Sequence, residues 1–195
     1  QNALIEFGSD LSAKIPDGAD EIFKFIHQQA TQFMDTNNMY IALYNNSSKE
    51  ISFPLSFKDG KSIIISTRIL NENKKGRTEE IIVTGNPILI PTKKESEEWY
   101  AQSDKGEFIG DPLASWVGVP MKIHDKTLGV IATYHPTLDY QYSADDQKIL
   151  QAMADLATIA LENSRLYDAE LEKELEAARE KINEAEQLIL VNSFT

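Results

Sequence analysis

Hydrophobic positions set the period of this chain segment by segment. Leu4, Phe7 and Leu11 recur at helical spacing and predict a short amphipathic helix, which Ile15-Pro16-Asp17-Gly18 interrupts. Beyond the break, Ile22, Phe25, Ile26, Gln29, Ala30, Phe33 and Met34 trace one mostly apolar stripe. Asp17, Asp20 and Glu21 stand where a helix N-terminus favours negative charge, so a second helix is predicted to run to about Thr36. From Met39 the period changes to that of a strand. Residues 40–44 are apolar on both faces, as in a central strand, and Asn45-Asn46-Ser47-Ser48 is a turn. Ile51, Phe53, Leu55 and Phe57 then alternate with polar positions. Pro54 lacks a ladder donor and marks that strand as an edge or bulged one. After a turn at residues 58–61, Ile63-Ile64-Ile65 predicts a third strand, completing an antiparallel meander.

Thr78 can cap a short helix with Glu79 and Glu80 in its first turn, and Gly85-Asn86-Pro87 stops it. Ile88-Leu89-Ile90 is a short strand. Residues 92–114 form a long charged stretch carrying Trp99, Tyr100 and Phe108, which is either functional or partly helical. Two β-rich runs then flank His124-Asp125-Lys126, the sign of a hairpin over residues 115–134. A turn at Asp125-Lys126 sets Ile123 opposite Leu128 and sorts the side chains into two faces. Val117, Val119, Met121, Ile123, Leu128, Val130, Ala132 and Tyr134 make an apolar face. Trp116, Gly118, Pro120, Lys122, Gly129, Ile131, Thr133 and His135 make a mixed one with room for a ligand. Finally, Ser143 begins a helix whose Leu150, Ala154, Ala157, Leu161, Ser164, Asp168, Leu171, Leu175, Ala178, Ile182, Ala185 and Ile189 follow a heptad seam. Up to about Arg165 further apolar residues widen the stripe. Beyond Tyr167 only the seam persists, which predicts a coiled-coil arm with Asp168 at the change of packing.

Composition narrows the classes. The 195 residues, 42% hydrophobic, suffice for one domain with a full core and a helical arm. A net charge of -12 speaks against nucleic acid as partner, because phosphate binding needs clustered Lys and Arg. The absence of cysteine removes disulfides, thiol catalysis, thiolate metal sites and thioether-linked chromophores. No apolar run approaches the roughly 20 residues of a membrane span and no signal peptide is evident, so direct membrane insertion is not expected and the expected location is cytoplasmic.

Ser115-Trp116-Val117-Gly118-Val119-Pro120-Met121 with Leu128-Gly129-Val130-Ile131, the stretch from Gly76-Arg77 to Val83-Thr84-Gly85-Asn86-Pro87, and the helix from Ser143 to Leu161 together resemble a GAF domain. GAF domains are small-molecule and chromophore sensors found in signalling proteins. The resemblance implies an α+β, profilin-like fold: an antiparallel sheet of five or six strands with the N- and C-terminal helices on one face and a ligand pocket on the other. The expected organisation is an N-terminal helical segment at 1–15, a GAF domain at 16–166 and a coiled-coil signalling helix at 167–195. Among the ligands known for the family, a covalent bilin is disfavoured by the missing cysteine and haem is disfavoured too, which leaves the cofactor unknown. Asn73-Lys74 matches part of the cyclic-nucleotide signature, but no Asp-Glu pair follows Phe108 at the required distance.

Pocket walls are expected from Tyr40, Ala42, Phe53, Gly118, Ile131 and Thr133, with Trp99, Tyr100, Phe108 and Trp116 as an aromatic lid. An equally ordinary reading makes the aromatics core filler under the long loop. His135 ends its strand opposite Trp116 in the assumed register, where it either contacts a ligand or makes a strand-end hydrogen bond. No phosphate loop, carboxylate pair or Ser/His/Asp set stands out, no catalytic residue or metal ligand is assigned, and the fragment is expected not to be an enzyme. The sulfoxide-reductase branch of the family is set aside on its need for cysteine. The functional expectation is a cytoplasmic sensory module of a larger signalling protein, foremost a two-component sensor histidine kinase, binding an unknown small molecule. It would form a homodimer through its N- and C-terminal helices and signal through the latter. The alternative is a ligand-free GAF scaffold for dimerisation or protein interaction.

Overall fold

A computed structural model of the protein describes residues 2–71, 76–101 and 113–193. Helix α1 (Asn2–Ser12) leads through a 3-10 turn at Ile15–Asp17 into α2 (Ala19–Ala30). Strands β1 (Met39–Asn45), β2 (Glu50–Lys58), β3 (Lys61–Ser62) and β4 (Arg68–Ile69) follow, then α3 (Arg77–Thr84), β5 (Ile88–Ile90) and α4 (Lys93–Ala101). The hairpin β6 (Ser115–Ile123) and β7 (Lys126–His135) precedes the 50-residue α5 (Ala144–Ser193).

The strands form one antiparallel sheet in the order β3-β2-β1-β7-β6-β5, with β4 also pairing with β2. Its two faces differ. Phe7 and Leu11 of α1, Ile22, Phe23 and Ile26 of α2, and Leu150, Met153, Ala154 and Ala157 of α5 pack on Met39, Ile41, Val117, Val119, Met121 and Ile131. This is the main core, and it puts the terminal helices on one face of the sheet. Ala42, Ile51, Trp116, Val130 and Ala132 face the other way, against Ile81 and Ile82 of α3.

Pro54 sits where the β1–β2 register shifts between Ile41 and Leu43, so β2 carries the bulge that its missing donor predicted. The bulge divides the expected single face: Phe53 stays with the α3 side and Leu55 turns to the terminal helices. The hairpin turn falls one residue earlier than Asp125-Lys126. Ile123 pairs with Lys126, His124 takes a left-handed φ of 54°, and a register shift beside Lys122 then brings Met121 opposite Gly129. The sums of these steps leave Val119 opposite Ile131 and Val117 opposite Thr133, so β6 keeps its expected faces and β7 exchanges its own. Gly129 lies where β1 comes close: a Cβ there would stand 2.2 Å from the Ala42 carbonyl oxygen.

Two further boundaries differ from expectation. Helix α2 ends at Ala30, where Thr31 donates its hydroxyl to the Gln28 carbonyl and the following backbone bonds tighten into turns. The strand expected at Ile63-Ile64-Ile65 leaves the sheet after Ser62, and Ile64 is fully exposed.

His27 stacks on Phe57 with ring centroids 4.0 Å apart and planes 3° from parallel. Burial holds its pKa below the usual value, against a smaller opposing contribution from the Thr36 backbone. The unfolded chain therefore takes up the proton more readily, and the stability this histidine contributes is present above about pH 6.5 and drains as pH falls from there through the folded value. Urea unfolding at about pH 7.5 and about pH 5.5 is expected to show a larger acid loss for the wild type than for His27→Phe. Equal losses would show that His27 titrates alike in both states.

Candidate functional site

The α3 side of the sheet holds a cavity of about 620 Å³, lined by residues of β1, β2, α3, α4, β6 and β7. Gly76 caps α3 in an extended conformation, so Arg77, Thr78 and Glu79 all lie in its first turn, at the cavity wall. Thr78 is thus not the cap residue. Its hydroxyl instead pairs with that of Tyr40 at 2.8 Å, and burial pushes the Tyr40 phenol up to about 12.

Arg77 is the unusual member. A cation in the first turn of a helix works against the helix dipole, and this one is only 6% exposed. Its Nη2 donates to the Tyr100 hydroxyl at 2.6 Å and to Ser96 Oγ at 3.2 Å, while its Nε has no partner among the described residues. The guanidinium carbon lies 4.8 Å from the Tyr100 ring centre and 5.5 Å from that of Trp116, a favourable cation–π arrangement. No carboxylate among the described residues pairs with it, and burial lowers its pKa. Glu79, 1% exposed, accepts from Arg68 Nε at 2.7 Å through one oxygen, and its other oxygen has no partner among the described residues. Arg68 in turn lies 4.8 Å above the Phe53 ring.

Tyr40, Phe53, Tyr100 and Trp116, expected at a pocket, do line this cavity. Ala42 faces the same side but is buried in the apolar cluster beneath it, and Trp99 packs edge-on against Tyr100 behind the wall. Gly118 is covered by the Trp116 indole, which a Cβ would meet at 2.2 Å, so it seats that ring. Ile131 and Thr133 were expected in the pocket and lie on the opposite face, because the hairpin register differs by one residue. Thr133 Oγ1 is 2.8 Å from the Asp35 carbonyl, 2.9 Å from that of Asn38 and 3.0 Å from the Tyr142 hydroxyl, tying β7 to the segment before α5. Tyr134, expected in the core, takes a place at the cavity wall instead. His135 stands opposite Ser115 rather than Trp116, and its Nδ1 accepts the Thr137 and Leu138 amides, the ordinary strand-end arrangement. Phe108 and Asn73-Lys74 lie outside the described residues.

Sequence reasoning passed over Arg68, Arg77 and Glu79 as site residues. The signal was present for Arg77, since a cation in a helix first turn breaks a local rule and such breaks concentrate at functional sites.

A single antiparallel sheet with terminal helices on one face and a cavity beneath a short helix on the other defines a profilin-like α+β domain. Residues 17–162 match the family model of the GAF domain, and the chain belongs to that family. Solved structures share the fold at low identity. One is a methyl-accepting chemotaxis protein, residues 122 to 287, with TM-score 0.64 and 15% identity over 82% of this chain and 99% of that one. Another is the GAF domain of an Acinetobacter phosphoenolpyruvate-protein phosphotransferase, with TM-score 0.62 and 14% identity over 85% and 96%. The fold is thus that of GAF domains found in signalling proteins.

A third is free methionine-R-sulfoxide reductase from Neisseria meningitidis in complex with its substrate, with TM-score 0.60 and 13% identity over 86% of this chain and 94% of that one. That structure is an enzyme of the same fold. It overturns the expectation that the chain is not an enzyme, which rested on the lack of a recognisable catalytic motif and of cysteine. Among the described residues no helix is long and apolar enough to cross a membrane.

Proposed function

We propose that the chain is the sensory module of a larger signal-transduction protein of the sensor histidine kinase kind, binding a small molecule in the cavity under α3 and signalling through a dimeric α5. The observation that carries this reading is the cavity itself, about 620 Å³ with a buried, incompletely bonded Arg77 in its wall. That volume is in the range of small-molecule sites. The hairpin couples the two sides, since β6 presents Trp116 to the cavity and Val117, Val119 and Met121 to the terminal helices.

The dimer reading is supported by α5. Its seam residues Leu150, Ala154, Ala157 and Ser164 are buried within the chain, Ser164 donating to the Ile15 carbonyl. Past Asp168 the same seam continues as exposed Leu171, Leu175, Ile182 and Ile189. An apolar stripe at heptad spacing on a long helix is the surface a parallel partner helix covers.

Sedimentation is expected to show a dimer for the full chain and a monomer for a chain ending at Arg165. A full chain that stays monomeric at high concentration would remove the signalling-helix part. A metabolite thermal-shift screen tests the ligand part: a saturating ligand at about 100 times its Kd stabilises the native state by about 2.7 kcal/mol. A screen without any shift favours the ligand-free scaffold.

A further inference from the structure

We infer that the cavity takes a small organic monocarboxylate with an apolar body, its carboxylate set against the Arg77 guanidinium. The inference rests on the ligand-binding reading above and specifies its chemistry. Buried charges are paired, coordinated or neutralised. Glu79 is paired with Arg68, whereas among the described residues Arg77 has only the neutral hydroxyls of Ser96 and Tyr100 and an unpartnered Nε. A ligand carboxylate in the cavity would supply the counter-charge.

The charge balance agrees. Among the described residues the wall carries three cations, Lys58, Arg68 and Arg77, against two carboxylates, Asp59 and Glu79. In a chain of net charge -12, these residues make a locally positive concavity with one charge in excess among them. The first turn of α3 adds backbone amides and the positive dipole end of a helix, which also favour an anion. A single excess charge matches a monoanion better than a phosphate dianion, for which the Glu79 carboxylate would be a repulsive neighbour.

Geometry limits the contact. Nη2 already donates to Tyr100 and Ser96, so an anion meets the guanidinium through Nε, which is unpartnered among the described residues, by a single charge-assisted hydrogen bond. The remaining wall includes Phe53, Ile65, Leu113 and Pro136, which suits an apolar or aromatic body.

The probes are phenylacetate, indole-3-acetate and hexanoate, each beside its neutral amide, together with phenyl phosphate. Binding is read on the full chain by thermal shift and by Trp emission. At least one carboxylate is expected to raise the melting temperature at millimolar concentration while its amide does not. Arg77→Gln should weaken that binding by about tenfold or more. Arg77→Lys keeps the charge without the Nε donor and should also lose affinity. It serves as the second variant where Arg77→Gln does not fold by circular dichroism.

Three results overturn the carboxylate assignment while leaving the ligand-binding reading standing. They are amides binding as well as the acids, phenyl phosphate binding more tightly, and affinity unchanged in both Arg77 variants. A panel without any shift also overturns it, and if the metabolite screen is equally silent the ligand-binding reading falls with it.

Discussion

Alanine at position 118 is expected to lower the stability of the domain by about 3 kcal/mol and to displace the Trp116 indole from the cavity wall. The added Cβ would lie 2.2 Å from one ring carbon of Trp116 and within 2.9 Å of two others, closer than real carbon contacts permit. Trp116 is 1% exposed and packed among Ile81, Ile90 and Ala132, so it cannot yield by a small rotation. It must leave its rotamer and take its contact with Arg77 along. The chain has two tryptophans, so in a Trp99→Phe background the emission reports Trp116 alone. A red shift together with a lower urea midpoint is expected. Unchanged emission and stability would mean that the indole does not rest on Gly118.

The second large effect lies on the other face of the same hairpin. Ile131→Ala is expected to cost about 3 kcal/mol, within the range for deleting a fully buried branched side chain. Ile131 is 0% exposed among Val119, Met121 and the terminal-helix residues, and its loss leaves a hole where α2 and α5 meet the sheet. Trp116 emission should stay as in the wild type, because the indole is on the opposite face. The register expected from the sequence predicts the reverse: an enlarged cavity, altered emission and an undisturbed helix interface. The pair of variants therefore tests the hairpin register in solution.

Much of the fold was legible because periodicity is a local property. The helical stripe at Ile22, Ile26 and Ala30 and the alternation along Val117, Val119 and Met121 each give a face without knowledge of a partner. Pro54 announced its bulge because a missing donor acts at its own position. The hairpin failed at one step. A run such as Val130-Ile131-Ala132 is apolar on both faces, so its pattern carries no preference between them, and a one-residue shift exchanges every side chain.

The site was legible only in part. Tyr40, Phe53, Tyr100 and Trp116 could be proposed as aromatics on strands or in a long loop. Arg77 could not be given its role, since its partners Ser96 and Tyr100 come from α4, some 19 and 23 residues further on.

By itself, the sequence determined the terminal helices, α3, the strands β1, β2, β5, β6 and β7, their order and the family resemblance, because each rests on spacing within a short window, whereas α4 and β4 were not resolved by it. Tertiary structure alone decided the face of β7, the route of the chain after Ser62 and the burial of Arg77 beside a cavity. Those depend on a turn displaced by one residue and on contacts between distant segments, where packing and hydrogen bonding outweigh local preference.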